Sequence, residues 1–576
     1  MYIALRIKND PGTTIMNVMT KLRKMKGFMA GVGLSAIAFF FIRAKTNDPY
    51  FEISKNLDIY ASLFKELNTY YVDPIEPGKL VKTGVDAMLE ELDPYTNYIT
   101  ESDIEEYEFM TTGKYGGIGA NMNRKGDEIY IGDVYESSPA QMAGLHPGDQ
   151  VISIDDHSVK GKSIDDLGML LKGSPGTQLT MKIKDAFTKA ELVKIITRGE
   201  IEISSVPYSA LVGPQKNIAY VRLTQFTQGC ARQVRDAFDS LQKVQPQLSG
   251  CVLDLRNNPG GLLDEAVAIC NIFVDKNQLV VSTIGKIKEM DKEYKTAGQP
   301  WNKTIPLTVL VNHSSASASE IVAGTMQDLD RGVIIGERSY GKGLVQMTHP
   351  LGFNARLKLT VARYYTPSGR CIQALDYTHR NADGSVGYIA DSLKKTFKTK
   401  NGRDVQSGGG VMPDVVMKDN PICKIAVTLY TKNYMFDYAT EYNRQHSTIP
   451  AAGQFQLTDA EFNQFTKWMD SKDYSYKTET EEALDSLKKI AVKEKYYDDA
   501  RQEFETLKTK LSHDKKQDML KHKDQVRHML ENEIVSRYYY TRGRIAQSMQ
   551  YDKDLDKAMA LLAVTDGEYK TLLKAK

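Results

Sequence analysis

Four short apolar runs rich in β-branched residues, at 218–223, 250–255, 307–311 and 333–336, leave this chain few architectures to choose from. A strand that is apolar on both alternating faces has to be covered on both. Helical stretches such as 230–241 and 319–329 fall between the runs, and that alternation predicts a layered α/β domain with buried strands across residues 201–420. At 576 residues the chain is long enough for more domains than this one.

The remaining sequence changes texture around that domain. Residues 48–112 read as helical, with Leu57, Tyr60, Leu63, Phe64 and Leu67 at three- and four-residue steps and a second helix over 79–92 that ends before Asp93-Pro94. Residues 113–200 hold short β-prone runs broken by glycine turns. From 421 to 576 Lys and Glu dominate, with Leu484, Leu487 and Ala491 at helical spacing, so this region is expected to be all helical with charged outer faces.

At the N-terminus, residues 27–42 are uncharged and follow Lys21, Arg23, Lys24 and Lys26. The run fits an export signal or a membrane anchor, and the absence of a small-residue cleavage site favours the anchor. The basic flank then places residues 1–26 in the cytoplasm and the rest outside. This predicts a single-pass protein of a bacterial inner membrane, its catalytic part in the periplasm.

Lys+Arg at 75 against Asp+Glu at 73 gives a net charge of +2, which offers no pull toward nucleic acid. Five scattered cysteines without a CxxC pair, and histidines without an HExxH pattern, indicate neither metal nor disulfide framework, and no cofactor is expected.

Residues 113–200 resemble a PDZ domain, on Tyr115-Gly116-Gly117-Ile118-Gly119 and the stretch IYIGDVYESSPAQMAGLHPGDQVISIDDHSV. The resemblance implies that a glycine-rich turn presents N–H groups to a chain-end carboxylate while the following strand pairs with the peptide.

The segment VLVNHSSASASEIVAGTMQD carries the chemistry. A buried strand ends at Asn312, a serine-rich turn follows, and a helix starts near Ser319 with Glu320 in its first turn. Ser317 at that junction has a projecting hydroxyl beside unpaired N–H groups, but a serine needs a base. His313 is one candidate, although no GxSxG elbow accompanies it. Lys342, in a glycine-flanked turn, is the other, provided burial brings its pKa down by about 3 from the ~10.4 of a free lysine. Gln346 on the next strand can orient the amine. Residues 336–342 also have GxxxxGK form, yet Gly343 stands where a nucleotide-binding loop needs Ser or Thr.

SASASE and GKGLVQ, with VLDLRNNPGG upstream and YYTPSGRCIQ and GGGVMPD downstream, resemble the carboxyl-terminal processing peptidases, or tail-specific proteases. The likeness runs over residues 50–420 and implies a crotonase-like α/β peptidase core with an inserted PDZ domain and a Ser-Lys dyad. By motif it makes Ser317 the nucleophile, Lys342 the base and Gln346 its partner. Ala318 and either Gly260 or Gly261 would supply the oxyanion hole. The expected partners are polypeptides with exposed C-terminal tails, and the helical region offers a surface for homo-oligomerisation. A non-catalytic PDZ adaptor is the alternative.

Overall fold

The computed structural model describes residues 49–418, 421–511 and 514–575. The chain divides into two compact units between Met88 and Leu89. The first contains α1 (Pro49–Tyr70) and most of α2 (Pro77–Glu90). Proline opens α2, where a missing N–H costs nothing, and the helix stops short of Pro94. Gly84 lets it approach α1, since a Cβ there would lie 2.9 Å from the Tyr60 hydroxyl.

The run at 27–42 lies outside the described residues. Among the described residues no helix is long and apolar enough to cross a membrane, which corrects the single-pass inner-membrane placement read from the sequence. Even the 26-residue helix near the C-terminus carries Lys, Asp, Glu and Arg along its length.

In the second unit, β1 (Asn97–Ile99) and α3 (Ile104–Thr112) precede a β-rich module. It comprises β2 (Lys114–Gly117), β3 (Ala120–Lys125), β4 (Glu128–Val134), β5 (Gln150–Ile154), α4 (Ile164–Leu171), β6 (Gln178–Lys184), β7 (Glu191–Thr197) and β8 (Gly199–Glu202). The main sheet runs β3-β4-β5-β6-β7, so β3 is an edge strand, and β2 pairs with β8 at the entry to the module. Ile118, Ile129, Ile131, Leu167 and Ile183 form its core. A capping box between Ser163 and Asp166 starts α4.

The α/β core follows with β9 (Tyr208–Val212), β10 (Ile218–Arg222), α5 (Cys230–Val244), β11 (Gly250–Asp254), α6 (Leu263–Phe273), β12 (Leu279–Gly285), β13 (Leu307–Val311), α7 (Ala318–Asp328), β14 (Val333–Gly336), β15 (Leu344–Pro350), β16 (Arg356–Tyr365) and β17 (Val415–Val416). Its sheet is ordered β9-β10-β11-β13-β14-β17, parallel from β10 onward. A second, antiparallel sheet places β16 between β1 and β12, with β15 also on β16. Helices α5, α6 and α7 cover one face of the parallel sheet through Val234, Phe238, Ile269, Val322 and Met326.

The C-terminal region has its own core, where α8 (Lys424–Thr431), α9 (Tyr434–Gln445), α10 (Asp459–Met469) and α11 (Lys523–Ser548) bring together Leu429, Met435, Phe462, Phe465, Leu530 and Ile534. It also does something the sequence did not announce. The helix α12 (Lys553–Ala563) lies under the parallel sheet, where Leu555, Ala558, Leu561 and Leu562 meet Val252, Leu310, Val333 and Ile335. Gly250 makes room for this, since a Cβ there would stand 2.7 Å from Leu562. The region also touches the β-rich module, where Arg544 meets Asp133 at 3.0 Å and Lys125 pairs with Asp437.

Candidate active site

The serine loop between β13 and α7 is pinned to the loop after β11. The Ala316 N–H donates to Asn258 O at 3.0 Å, Ser315 Oγ donates to Leu255 O at 2.8 Å, and Ser319 Oγ donates to Asn258 O at 2.9 Å. Within that frame Ser317 sits at the N-cap of α7 with φ 56° and ψ −113°. A non-glycine residue rarely adopts this conformation, and here the surrounding bonds hold it. The half-buried Ser317 thus projects at the helix start, where the Ala318 N–H has no intrahelical acceptor.

Glu320 explains how the serine and the lysine are held in one frame. Its fully buried carboxylate accepts from the Ser317 N–H at 2.8 Å, the Lys342 N–H at 2.8 Å, the Gly341 N–H at 2.6 Å and Ser339 Oγ at 2.6 Å. Burial pushes this carboxyl above its ordinary value, and the donors oppose the shift. The sequence marked Glu320 only as a first-turn acid; its reach across to residues 339–342 depends on where β14 ends.

Ser317, Lys342, Gln346, Ala318, Gly260 and Gly261 all line one cleft of about 360 Å³. Lys342 Nζ lies 4.2 Å from the centre of the Tyr95 ring, and burial is the main cause that brings its pKa down to about 8. The Gln346 amide donates to Thr360 Oγ1 at 3.0 Å. Among the described residues no hydrogen bond joins Ser317 Oγ to Lys342 Nζ. His313 points elsewhere: it is exposed, and its Nδ1 meets Glu337 at 2.9 Å. A strand, β15, follows Lys342 where a nucleotide-binding loop would need a helix.

The two glycines left open by the sequence differ in geometry. Gly260, with φ +100°, packs so closely that a Cβ would stand 2.8 Å from Ser317 Cβ and 2.9 Å from Ala318 N. Its own N–H is taken by Asn258 Oδ1 at 2.9 Å. Gly261 abuts Phe226 O, and its N–H has no acceptor among the described residues.

The turn bearing these glycines is braced from below by Arg256, which reaches the buried Asp254 at 2.6 Å, Asp552 at 2.6 Å and Asp554 at 3.2 Å. The wall over Lys342 comes from 93–96, where Asp93 accepts from the Tyr95 and Thr96 N–H groups at 2.9 Å. Sequence reasoning missed both groups, because each acts across more than 200 residues of chain.

Tyr115, Gly116, Gly117, Ile118 and Gly119 lie outside this cleft, at the start of the β-rich module. Residues 114–117 form a strand on β8 instead of a turn, because the Gly116 and Gly117 positions pair with Glu200 and Gly199. The turn falls at Gly119, with φ +73°. Ligand atoms of His146, Asp149 and Asp185 gather within 4.8 Å in the same module. Asp149 is occupied by the His146 and Ala186 N–H groups, at 2.8 Å each, and Asp185 by residues 187–188.

The sequence matches peptidase family S41 over residues 217–378, a PDZ domain over 130–185, and the family described as "Probable PDZ-protease, C-terminal helical domain" over 425–562. Fold and matches together define a serine-type peptidase with a PDZ domain and a C-terminal helical domain. A carboxy-terminal-processing protease of Bartonella bacilliformis is 34% identical over 62% of this chain and 82% of its own length. A Staphylococcus haemolyticus protein named "Probable CtpA-like serine protease" is 37% identical over 58% of this chain and 66% of its own. Among solved structures, the photosystem II D1 C-terminal processing protease is 26% identical, covering 63% of this chain and 93% of that one with a TM-score of 0.33. The chain belongs to the carboxy-terminal-processing protease family.

Proposed function

We propose that this protein is an endopeptidase that binds the C-terminal tails of polypeptides through its PDZ domain and cleaves them with Ser317 and Lys342. The observation that carries this reading is the shared cleft, in which a serine at a helix N-cap and a lysine with a pKa near 8 hang from one buried carboxylate. Neutral Lys342 takes the proton of Ser317 as Oγ attacks the peptide carbonyl. The oxyanion is met by the Ala318 and Gly261 N–H groups, with Gly260 packed against the serine. On collapse the C–N bond breaks and the lysine returns its proton to the leaving amine; water then completes hydrolysis by the reverse sequence. Gln346 steadies the strand face beside the base. For tail capture, the edge of β3 and the helix α4 offer a strand-addition groove, entered past residues 115–119.

A fluorophosphonate probe tests this. Wild type should be labelled at Ser317, while Ser317→Ala and Lys342→Met should not. An unlabelled wild type that still binds tail peptides would favour a PDZ adaptor.

A further inference from the structure

Lys358 stands on β16, opposite Thr348 of β15 and Asn97 of β1. It lines the same cleft as Ser317, Lys342, Gln346 and Thr348. Residues two apart on a strand share a face, so Lys358 lies on the face of Thr360, the residue that holds Gln346. The second lysine and the base therefore look into one space.

No carboxylate answers Lys358 among the described residues. Glu320 has both oxygens occupied, by the N–H groups of Ser317, Gly341 and Lys342 and by Ser339 Oγ. Asp93 is spent on Tyr95 and Thr96. Glu108 of α3 lies 3.6 Å from Arg356. The groups around Lys342 are thus Asp93 and Tyr95 ahead of β1, with Tyr340 hydrogen-bonded to the Tyr95 hydroxyl, Tyr107 of α3, Glu320 of α7, and Lys358 and Tyr364 of β16. Of these, Lys358 alone is a cation.

Building on the proposed dyad, we propose that Lys358 is a positioning residue for it: its unanswered ammonium makes a second positive charge in the cleft unfavourable and so keeps Lys342 in the neutral, proton-accepting form. A like charge close to an amine favours loss of its proton. The same repulsion acts again after Ser317 has given up its proton, driving that proton from Lys342 to the departing amine as the C–N bond breaks. The directions agree: Lys342 is lowered by burial and then by Lys358, with Asp93 and Glu320 opposing, whereas Lys358 is lowered by burial alone.

The test uses the full chain, cleavage of a quenched peptide between about pH 5 and 10, and fluorophosphonate labelling rates over the same range. Lys358→Met should move the acid limb of kcat/KM upward by about one pH unit, so that activity near pH 7 falls about tenfold and recovers in alkali. Lys358→Arg, which keeps the charge, should retain the wild-type limb. Lys358→Gln serves if the methionine variant does not fold. A neutral variant with the wild-type limb, or with a uniform loss at every pH, would overturn the proposal. A wild type with neither acid limb nor Ser317 labelling would instead bring down the dyad itself, and the proposal with it.

Discussion

The two faces of the parallel sheet are equally dry but covered by different kinds of neighbour. On one face Val221, Leu253, Val309 and Ile334 pack against α5, α6 and α7, helices that arise between the strands they cover. On the other, Val252, Leu310, Val333 and Ile335 pack against α12, which lies more than 200 residues beyond the last of them. The first face is closed by local crossover connections, the second by the chain end. A core sheet therefore need not be completed by its own domain's sequence, and the turn that carries the candidate oxyanion glycines inherits its support, through Arg256, from that same distant helix.

Removing α12 breaks the comparison most directly. A chain ending at Tyr551 should lose its cooperative unfolding transition in urea, because several aliphatic side chains worth roughly 1.5–3 kcal/mol each become exposed; an unchanged midpoint would show that the second face needs no cover. Ser317→Ala should lower peptide cleavage by at least ~10³-fold while the melting temperature stays at the wild-type value, separating chemistry from packing. Arg256→Ala strands the buried Asp254 and should cost about 3–5 kcal/mol, read by denaturation, with cleavage falling as the glycine turn loosens. Leu562→Ala and Met326→Ala remove one buried side chain from each face, and both should cost about 2–5 kcal/mol. Equal costs would establish that the chain end is core, and a negligible cost at Leu562 would make it a loose cover. The smallest effect is in pH. With the Lys342 pKa near 8, a base that must be neutral is protonated below that value, so kcat/KM should fall about tenfold per unit as pH drops under ~8. A profile flat to about pH 6 would count against a lysine base.

Much of this was legible in the sequence. Buried strands announced themselves as apolar runs because both faces of each are covered. The helix that stops before Pro94 and the one that begins beside Ser319 were readable because proline and the serine turn act locally, although the first of them runs Pro77–Glu90 and not 79–92. Ser317, Lys342, Gln346 and the glycine pair were recognisable because each lies within a short motif, and the structure gathers them in one cleft. Of the glycine-rich turn expected over 115–119, residues 115–117 pair with β8 as a strand and the turn itself is confined to Gly119. His313 is near Ser317 in sequence, yet its ring is exposed and meets Glu337.

By itself, then, the sequence determined the strand and helix periodicities, the order of its regions and the motif residues, since these depend on neighbours a few positions apart. Only the tertiary structure decided that Glu320 joins the serine loop to the lysine loop, that Tyr95 roofs the amine, that Lys358 lines the same cleft, and that α12 closes the sheet. Burial and electrostatics are set by whatever is near in space, and contacts between residues hundreds of positions apart leave no periodic trace in the chain.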